Sequence, residues 1–304
     1  MENLSQLTTE QDNPASQDLD KRSAAEIVQV INLEDARVAH AVRTELPRIA
    51  QAVDIIVERM KRGGRLVYVG AGTSGRIAAM DAMECVPSFG VPEDRIRILL
   101  AGGEQAMFHA VEGAEDDTEG AVRAVDLIDV NADDAVIGVA ASGRTPYVLA
   151  ALREAQRRGA ATIAIVNNRP TPMHDVADVT IAALTGPEVV TGATRMKAGT
   201  AQKMVLNTLT TATFIRLGKV YSNQMVDVKA VNSKQRDRAR RILISLAKVD
   251  APTADTALAA ADYDVKVAVV MLLADVDADE ARSRLKAASG YVRNAAENKQ
   301  GQQA

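Results

Sequence analysis

Two short segments of the sequence combine glycine with hydroxyl side chains, the residue types that hold a phosphate group. They are Gly70-Ala-Gly-Thr-Ser-Gly75 and Ala141-Ser-Gly-Arg-Thr-Pro146, and each lies between an apolar run and a helical pattern. Backbone N–H groups at a helix start attract anions, and hydroxyl groups add donors. We therefore predict that both segments bind one phosphate, the alternative being that their hydroxyls only cap the helices. The predicted phosphate ligands are Thr73, Ser74, Ser142, Gly143 and Thr145.

The first segment also matches G-x-G-x-x-G, the pattern of dinucleotide-binding folds. A dinucleotide site additionally needs an acidic residue at the end of the second strand, where it binds a ribose. That strand ends Leu100-Ala-Gly-Gly103 and has no carboxylate at its tip. The sequence therefore favours a single phosphate over a nicotinamide dinucleotide.

Glu84 is a candidate general acid because of its place in the chain. It lies near the end of a helix predicted over 77–86, which Pro87 is expected to terminate. The negative end of the helix dipole and the apolar neighbours of Glu84 both favour the protonated carboxyl, the form that a general acid needs. The alternative is a glutamate that faces solvent.

A second group of carboxylates lies in Glu112-Gly-Ala-Glu-Asp-Asp-Thr-Glu119. Crowded like charges favour protonation of one member, so this group can supply a base tuned to neutral pH. Asp116 and Glu119 have the spacing of a capping box for the next helix, which leaves Glu115 without a structural role. Glu115 is therefore the second candidate for acid–base chemistry.

Cations open a predicted helix after Thr194, namely Arg195, Lys197 and Lys203. The helix dipole disfavours positive charge at this end, so these side chains need an anionic partner. Glu188 and a bound ligand are both open as that partner. Arg195 and Lys197 are therefore candidates for substrate binding or for structural pairing.

Short, almost continuously apolar runs alternate with helical patterns, as in a parallel sheet with helices on both faces. The runs are 65–70, 96–101, 135–140, 161–166 and 179–184, and the intervening helices are 77–86, 105–111, 118–127, 147–158 and a brief segment around His174. We predict an α/β fold, a three-layer αβα sandwich around a five-stranded parallel, flavodoxin-like sheet of order 2-1-3-4-5. In that order the first and third strands are neighbours, so the two hydroxyl segments meet at one edge.

Helical patterns also flank the predicted sheet in sequence. We predict an N-terminal arm and helices over 1–55, the phosphate-binding domain over 56–222, and a small all-helical domain over 223–304. The arm is interpreted as an ordered loop, with a flexible tail as the alternative. In the last domain, Asp250 and Asp277 have the positions of helix caps.

The composition excludes several classes of protein. One cysteine, Cys85, and three separated histidines argue against disulfides and metal sites, so we expect a cytoplasmic protein without a metal. A formal net charge of −4 disfavours nucleic acid, and the basic run 234–241 is interpreted as a solvated helix face. No apolar run has the length of a membrane helix, and the polar start is unlike a signal peptide. We therefore expect no membrane association.

Several segments together resemble one bacterial enzyme family. They are the two hydroxyl segments, Asp81-Ala-Met-Glu-Cys85, Ala110-Val-Glu-Gly-Ala-Glu-Asp-Asp117, the arm Thr9–Ser16 and above all residues 188–203, EVVTGATRMKAGTAQK. This set is similar to the N-acetylmuramic acid 6-phosphate etherases, which belong to the sugar isomerase (SIS) phosphosugar-binding superfamily and are related to the glucokinase regulatory protein. The resemblance extends from the arm to beyond Asp227.

The resemblance implies a lyase that cleaves the lactyl ether of the sugar phosphate, giving N-acetylglucosamine 6-phosphate and D-lactate in cell-wall sugar recycling. It implies no cofactor and a homodimer with the site near the interface. By the family's motifs, the resemblance implies that Glu84 and Glu115 are the catalytic residues. Glu84 would donate a proton to lactate and Glu115 would transfer the C2 proton, and an exchange of these roles is left open. Met83 stands where the family commonly has serine, so a hydroxyl contact beside Glu84 is in doubt.

Two other functions remain open on this scaffold. A regulatory protein that binds sugar phosphates needs the hydroxyl loops but no pair of acid–base residues. An aldose–ketose phosphosugar isomerase would give an isomerised product and no lactate. The two glutamate motifs favour the lyase.

Overall fold

The computed structural model describes residues 7–228 and 232–297. Its strands are β1 (Leu66–Gly70), β2 (Ile96–Leu100), β3 (Ala135–Val139), β4 (Ala161–Val166), β5 (Val179–Ala182), β6 (Val220–Tyr221) and β7 (Gln224–Met225). Its α-helices are α1 (Ala24–Asp35), α2 (Val38–Arg43), α3 (Leu46–Lys61), α4 (Gly72–Phe89), α5 (Thr118–Leu127), α6 (Pro146–Arg157), α7 (Lys197–Arg216), α8 (Ser233–Ala247), α9 (Ala251–Ala260), α10 (Val265–Ala274), α11 (Ala278–Ala287) and α12 (Val292–Ala296). They form two compact units, 7–83 with 93–210, and 84–92 with 211–228 and 232–297.

The first unit contains a five-stranded parallel sheet. Its strand order is β2-β1-β3-β4-β5, which confirms the predicted order. In the register of the central pair, Gly70 at the end of β1 lies beside Val139 at the end of β3. The predicted strands were right to within two residues because buried parallel strands leave continuous apolar runs in the sequence.

Helices cover both faces of this sheet. Val67 and Val69 of β1 belong to a buried cluster that includes Val148 and Leu152 of α6. Tyr68, between them in sequence, faces the opposite layer, because successive side chains of a strand alternate between its faces. There its hydroxyl bonds to Asp81 of α4. The predicted three-layer αβα sandwich is therefore confirmed.

The N-terminal arm is ordered over 7–22. It forms single turns of 3-10 helix at Thr8–Glu10, Pro14–Ser16 and Leu19–Lys21. Thr9 and Asn13 are buried, and the Asn13 side chain donates to Glu34 of α1 and to the Pro187 carbonyl. For these residues the prediction of an ordered loop is confirmed.

The second unit is mainly helical. Leu243 of α8, Leu258 of α9 and Val269 of α10 belong to its buried cluster, and Asp250 and Asp277 cap α9 and α11 as predicted. The expectation of an all-helical region is wrong in one place, because β6 and β7 form a two-stranded antiparallel hairpin. With two residues in each strand, the hairpin is too short to show a period in the sequence. The predicted boundaries after 55 and after 222 stay predictions.

Three predicted details around the candidate site are wrong. The helix after β1 begins at Gly72 and continues through Pro87 to Phe89, because a proline near a helix end removes only one hydrogen bond. The 105–111 helix is a single 3-10 turn, Glu104–Met107. The cap of α5 is Asp117, whose side chain accepts the Gly120 N–H, and not Asp116.

No helix within 7–228 and 232–297 has both the length and the apolar character needed to cross a bilayer.

Candidate functional site

The loop after β1 is built on a close approach of two glycines. A Cβ atom on Gly70 would lie 2.6 Å from the Cα of Gly75, and one on Gly75 would lie 2.4 Å from Leu100 Cδ1. Any side chain there would push the first turn of α4 away from β1. Thr73 and Ser74 lie half-buried in that turn, where the first N–H groups of a helix have no intrahelical partner.

The loop after β3 presents a second set of donors and hydroxyls. Gly143 has a φ of +66°, a conformation that favours glycine. The Arg144 N–H donates to Ser142 Oγ at 3.2 Å, which leaves the hydroxyl proton of Ser142 able to donate to a ligand. Thr145 is the N-cap residue of α6 but makes no side-chain capping bond. The alternative that its hydroxyl serves as a helix cap is therefore wrong.

These two loops leave the sheet at the same edge. β1 and β3 are adjacent and end in register, so the loops begin side by side. Parallel α/β folds bind ligands at such an edge, beyond the carboxyl ends of neighbouring strands. The structure thus brings both groups of predicted phosphate ligands to one edge of the sheet.

The start of α7 reaches the first turn of α4. A Cβ on Gly199 would lie 3.3 Å from Ile77 Cδ1 and 3.7 Å from Thr73 Cγ2, so glycine allows the two helices to approach closely. The RMKAGTAQK segment therefore contributes to the surroundings of the first loop. Arg195, just before α7, is exposed and makes no hydrogen bond or ion pair with another described residue.

Lys197 has a structural partner. It is 2% exposed, and its Nζ lies 2.5 Å from Glu34 Oε2. Burial opposes ionisation of Glu34, but hydrogen bonds from Lys197 and Asn13 outweigh it and hold the pKa of Glu34 below its ordinary value. Of the two roles left open for Lys197, this arrangement supports structural pairing.

Glu188 stabilises the same region in another way. Its carboxylate accepts the backbone N–H groups of Lys197 at 3.0 Å and Ala198 at 2.9 Å. Burial raises the pKa of Glu188, although these two hydrogen bonds oppose the shift. Glu188 therefore caps the start of α7 and is not the partner of the Lys197 ammonium.

Glu115 lies beside the tip of β2. It belongs to the 3-10 turn Ala114–Asp116, and a Cβ on Gly102 would lie 3.0 Å from Val111 Cβ and 3.2 Å from Ala114 Cβ. The segment that carries Glu115 thus packs on the end of β2, the neighbour of β1. The side chain of Glu115 is exposed.

Glu84 has surroundings that differ from the expectation. Five helical residues follow it in α4, so it is not in the last turn and the dipole argument for its protonated form is wrong. Its side chain is exposed, as are those of Met80 and Met83. In the single chain, apolar neighbours therefore do not enclose this carboxylate.

The chain is similar over nearly its whole length to curated proteins named N-acetylmuramic acid 6-phosphate etherase. One from Mycolicibacterium smegmatis is 53% identical over 292 residues, covering 96% of this chain and 98% of that protein. One from Clostridium beijerinckii is 48% identical over 293 residues, covering 96% of each. The chain belongs to the N-acetylmuramic acid 6-phosphate etherase family.

Domain models agree with membership of the etherase family. The glucokinase regulatory protein N-terminal SIS domain matches residues 48–156, and the SIS domain matches residues 110–212. Among solved structures, a phosphoheptose isomerase from Francisella tularensis is 17% identical, covers 63% of this chain and 98% of that one, and gives a TM-score of 0.49. The curated relatives and the SIS domain match confirm the resemblance found in the motifs.

Sequence reasoning missed two buried polar residues of this etherase-family chain. Asp81 accepts hydrogen bonds from Tyr68, Asn207 and Thr210, and so joins α4 to β1 and α7. Asn168, just after β4, donates to the Ala141 carbonyl beside the second loop. The signal for Asn168 is the pair Asn167-Asn168, which directly follows a buried strand.

Two cavities in the first unit do not coincide with the predicted ligands. One of about 780 Å³ lies between α5 and α6, and its lining includes Arg123 and Arg153. The other, of about 600 Å³, is lined in part by Gly102, Met107 and Asp117 and lies next to the Glu115 segment. Neither is lined by Thr73, Ser74 or the loop residues 142–145, so the phosphate prediction depends on the loops and not on these cavities.

Proposed function

We propose that this protein is a lyase that cleaves the D-lactyl ether of N-acetylmuramic acid 6-phosphate and releases N-acetylglucosamine 6-phosphate and D-lactate. The observation that carries the proposal is the 53% identity, over nearly all of both chains, to a relative named as this etherase. The reaction serves cell-wall amino-sugar recycling. A cytoplasmic location is part of the proposal, supported by the single cysteine.

The substrate phosphate binds where the two hydroxyl loops meet. Backbone N–H groups at the start of α4 and of α6 supply donors, and hydroxyl groups complete the set. Adjacency of β1 and β3 supports this assignment, since it puts both loops at one edge. The proposed phosphate ligands are Thr73, Ser74, Ser142, Gly143 and Thr145.

Elimination is the first half of the reaction. In the open-chain sugar the C1 aldehyde acidifies the C2 proton, and Glu115 removes it. The electron pair forms the C2=C3 double bond while the C3–O bond breaks. Glu84 donates a proton to the departing lactate oxygen, so that each carboxyl group moves one proton.

Hydration is the second half. Water adds to C3 of the unsaturated aldehyde and gives one proton to the deprotonated Glu84, and Glu115 returns a proton to C2. The net change consumes one water molecule and restores both carboxyl groups. Two acid–base residues therefore suffice, and the proposed reaction uses no cofactor or metal.

The position of Glu84 on α4 supports a homodimer. Glu84 lies ten positions after Ser74 in the same helix, which corresponds to about 15 Å along the helix axis. This exceeds the length of a sugar chain between its phosphate and its third carbon. We therefore propose that the Glu84 serving one phosphate site comes from a second copy of the chain, a state that light scattering can test.

Release of lactate is the primary test. Purified protein with N-acetylmuramic acid 6-phosphate should release D-lactate, and Glu84→Ala should abolish this release. The matched control is Glu58→Ala, which removes an exposed helical glutamate from α3 and should turn over normally. Retained turnover in Glu84→Ala would refute the role of Glu84.

Mixing variants tests where Glu84 comes from. Glu84→Ala and Ser74→Ala chains, each inactive alone, should regain part of the activity when unfolded and refolded together, because a mixed dimer contains one site with both residues intact. Two Glu84→Ala chains treated in the same way should stay inactive. No recovery from a mixture proven to contain mixed dimers would place both residues in one chain.

Isotope labelling tests the bond that breaks. In H2(18)O, elimination and hydration put the labelled oxygen on C3 of N-acetylglucosamine 6-phosphate, and in D2O deuterium enters at C2. Label in the lactate hydroxyl would instead indicate displacement at the lactyl carbon and would exclude the proposed sequence. An isomerised sugar without lactate would indicate an isomerase, and tight binding without turnover would indicate a regulatory protein.

A further inference from the structure

The side chain of Asn168 uses all of its hydrogen-bonding capacity. Its Nδ2 donates to Thr9 Oγ1 and to the Ala141 carbonyl, both at 3.0 Å. Its Oδ1 accepts from Thr8 Oγ1 at 2.9 Å and from the Thr9 N–H at 3.4 Å. A primary amide has two donor protons and two acceptor lone pairs, so each position is occupied. Asn168 is 1% exposed.

The Ala141 carbonyl is the point where this amide meets the second hydroxyl loop. Ala141 directly precedes Ser142, and its carbonyl also accepts the Asn167 N–H at 2.9 Å. Two residues later, a Cβ on Gly143 would lie 2.5 Å from Thr171 Oγ1. The segment 167–171 therefore contacts the second hydroxyl loop at two points. It donates hydrogen bonds to the Ala141 carbonyl and packs directly against Gly143.

The N-terminal arm holds this support in place. Thr9 is fully buried although it lies close to the start of the chain, and the two threonines make three of the hydrogen bonds to Asn168. Without them, Asn168 would keep only its bond to Ala141, and buried donors and acceptors would lose their partners.

We propose that the N-terminal arm is a positioning element of the phosphate site. Thr8 and Thr9 orient Asn168, and the Asn168 amide holds the second hydroxyl loop in its binding geometry. The inference rests on the phosphate site of the proposed function. Neither threonine touches the substrate, and both act through Asn168. A loop held in its binding geometry loses less freedom when the ligand binds, so affinity depends on the arm.

Binding of N-acetylglucosamine 6-phosphate, measured by calorimetry, tests this inference without turnover. Thr9→Val keeps the shape of the side chain but removes the Oγ1 that accepts from Asn168. We expect the Kd to rise about tenfold, the effect of one lost buried hydrogen bond. Thr9→Ser, which keeps the hydroxyl, should restore binding to near the wild-type value.

The matched control is Thr162→Val. Thr162 is a fully buried threonine near the start of β4, at the opposite end of the strand from Asn168, and its Oγ1 bonds to Asp178. This variant loses a comparable hydrogen bond and should bind the sugar phosphate as wild type does. In turnover, Thr9→Val should raise KM with little change in kcat, which a general loss of stability would not produce.

A second variant covers the case in which Thr9→Val does not fold. Thr8 is half-buried, so Thr8→Val should fold and should raise the Kd by a smaller factor. Unchanged binding in Thr8→Val and in any folded Thr9→Val overturns the role of the arm. Wild-type protein that binds the sugar phosphate but releases no lactate refutes the proposed reaction alone, and absence of binding refutes both.

Discussion

The interior and the surface of this protein use carboxylates in different ways. Glu34, Asp81 and Glu188 are buried, and each accepts hydrogen bonds from specific donors. Glu84 and Glu115 are exposed and make no hydrogen bond or ion pair with another described residue. Asp81 and Glu84 are only three residues apart on one helix, so closeness in sequence does not indicate a shared role. Unlike the three buried carboxylates, Glu84 and Glu115 therefore keep their oxygens free for chemistry.

The largest expected effect is a loss of turnover without a loss of stability. Glu115→Gln should lower kcat by about 10²–10⁴-fold, because an amide cannot accept the C2 proton. The thermal midpoint should barely move, since the side chain is exposed. A lactate assay and a melting curve measure the two effects.

Glu119→Gln is the control for Glu115→Gln, because Glu119 is an exposed glutamate on α5 whose interaction is a surface ion pair with Arg123. It should change neither kcat nor the melting curve appreciably. Equal losses of turnover in the two variants would mean that Glu115 acts only through the charge of the segment.

The second effect is a loss of stability at a buried ion pair. Lys197→Met removes the buried ammonium from Glu34 and leaves Asn13 and the exposed Arg37 as its remaining partners. Loss of one hydrogen bond to a charged group should cost about 1.5–3 kcal/mol of the free energy of unfolding. Urea denaturation measures this cost. Arg195→Met, two residues away and exposed, should cost less than about 0.5 kcal/mol.

Activity separates the two cations further. If Arg195 contacts an anionic group of the substrate, Arg195→Met should raise KM while the fold keeps its stability. A Lys197→Met protein of normal stability that fails to bind sugar phosphate would reverse the assignment of the two side chains.

A smaller effect is expected at the start of α7. Glu188→Gln keeps one acceptor oxygen and so satisfies only one of the two backbone N–H groups that Glu188 now caps. The loss should be about 1–2 kcal/mol, the range for a helix cap or one buried hydrogen bond. An unchanged urea midpoint would show that the cap contributes nothing.

The smallest effect is a dependence of stability on pH at Asp81. Burial raises the pKa of this carboxyl above its ordinary value of 3.8, and hydrogen bonds from Tyr68, Asn207 and Thr210 oppose the shift only in part. A carboxyl whose pKa is raised in the folded state contributes most to the free energy of unfolding at pH values below its unfolded-state pKa. That contribution is lost as pH rises through the folded-state pKa.

Asp81→Asn removes this titration. The free energy of unfolding of wild type, relative to the variant, should therefore fall as pH rises through the window above 3.8. Urea titrations of both proteins from about pH 4 to about pH 8 measure the difference. A difference that stays constant, or grows with pH, would contradict the direction of the shift.

The sheet was predictable from sequence because its information is local. Five apolar runs separated by helical patterns determine a parallel sheet, and the placement of the hydroxyl loops follows from the strand order. Helix ends were less predictable. Whether α4 continues through Pro87, and whether Asp117 caps α5, depends on how a single helical turn packs. The β6–β7 hairpin contains too few residues to leave a pattern.

The structural roles of charged residues were the least predictable part of the site. Lys197 pairs with Glu34, which is 163 residues away in the chain, and Asn168 bonds to a threonine 159 residues away. Contacts between such distant residues depend on the tertiary fold and leave no spacing in the sequence. Glu84 was first singled out from a helix-end position and Glu115 from the capping pattern beside it, and the structure contradicts both of those details. The resemblance of their motifs to a family points to the same two residues.

The contact between Gly70 and Gly75 has a consequence for searches that assign cofactors by pattern. The short distance between β1 and α4 requires both glycines, whichever ligand binds beyond them. The G-x-G-x-x-G pattern therefore indicates a tight turn from β1 into α4 and does not identify the ligand. A scan based on this pattern alone would group the protein with nucleotide-dependent dehydrogenases. The missing acidic residue at the tip of β2 is the better criterion for separating the two classes.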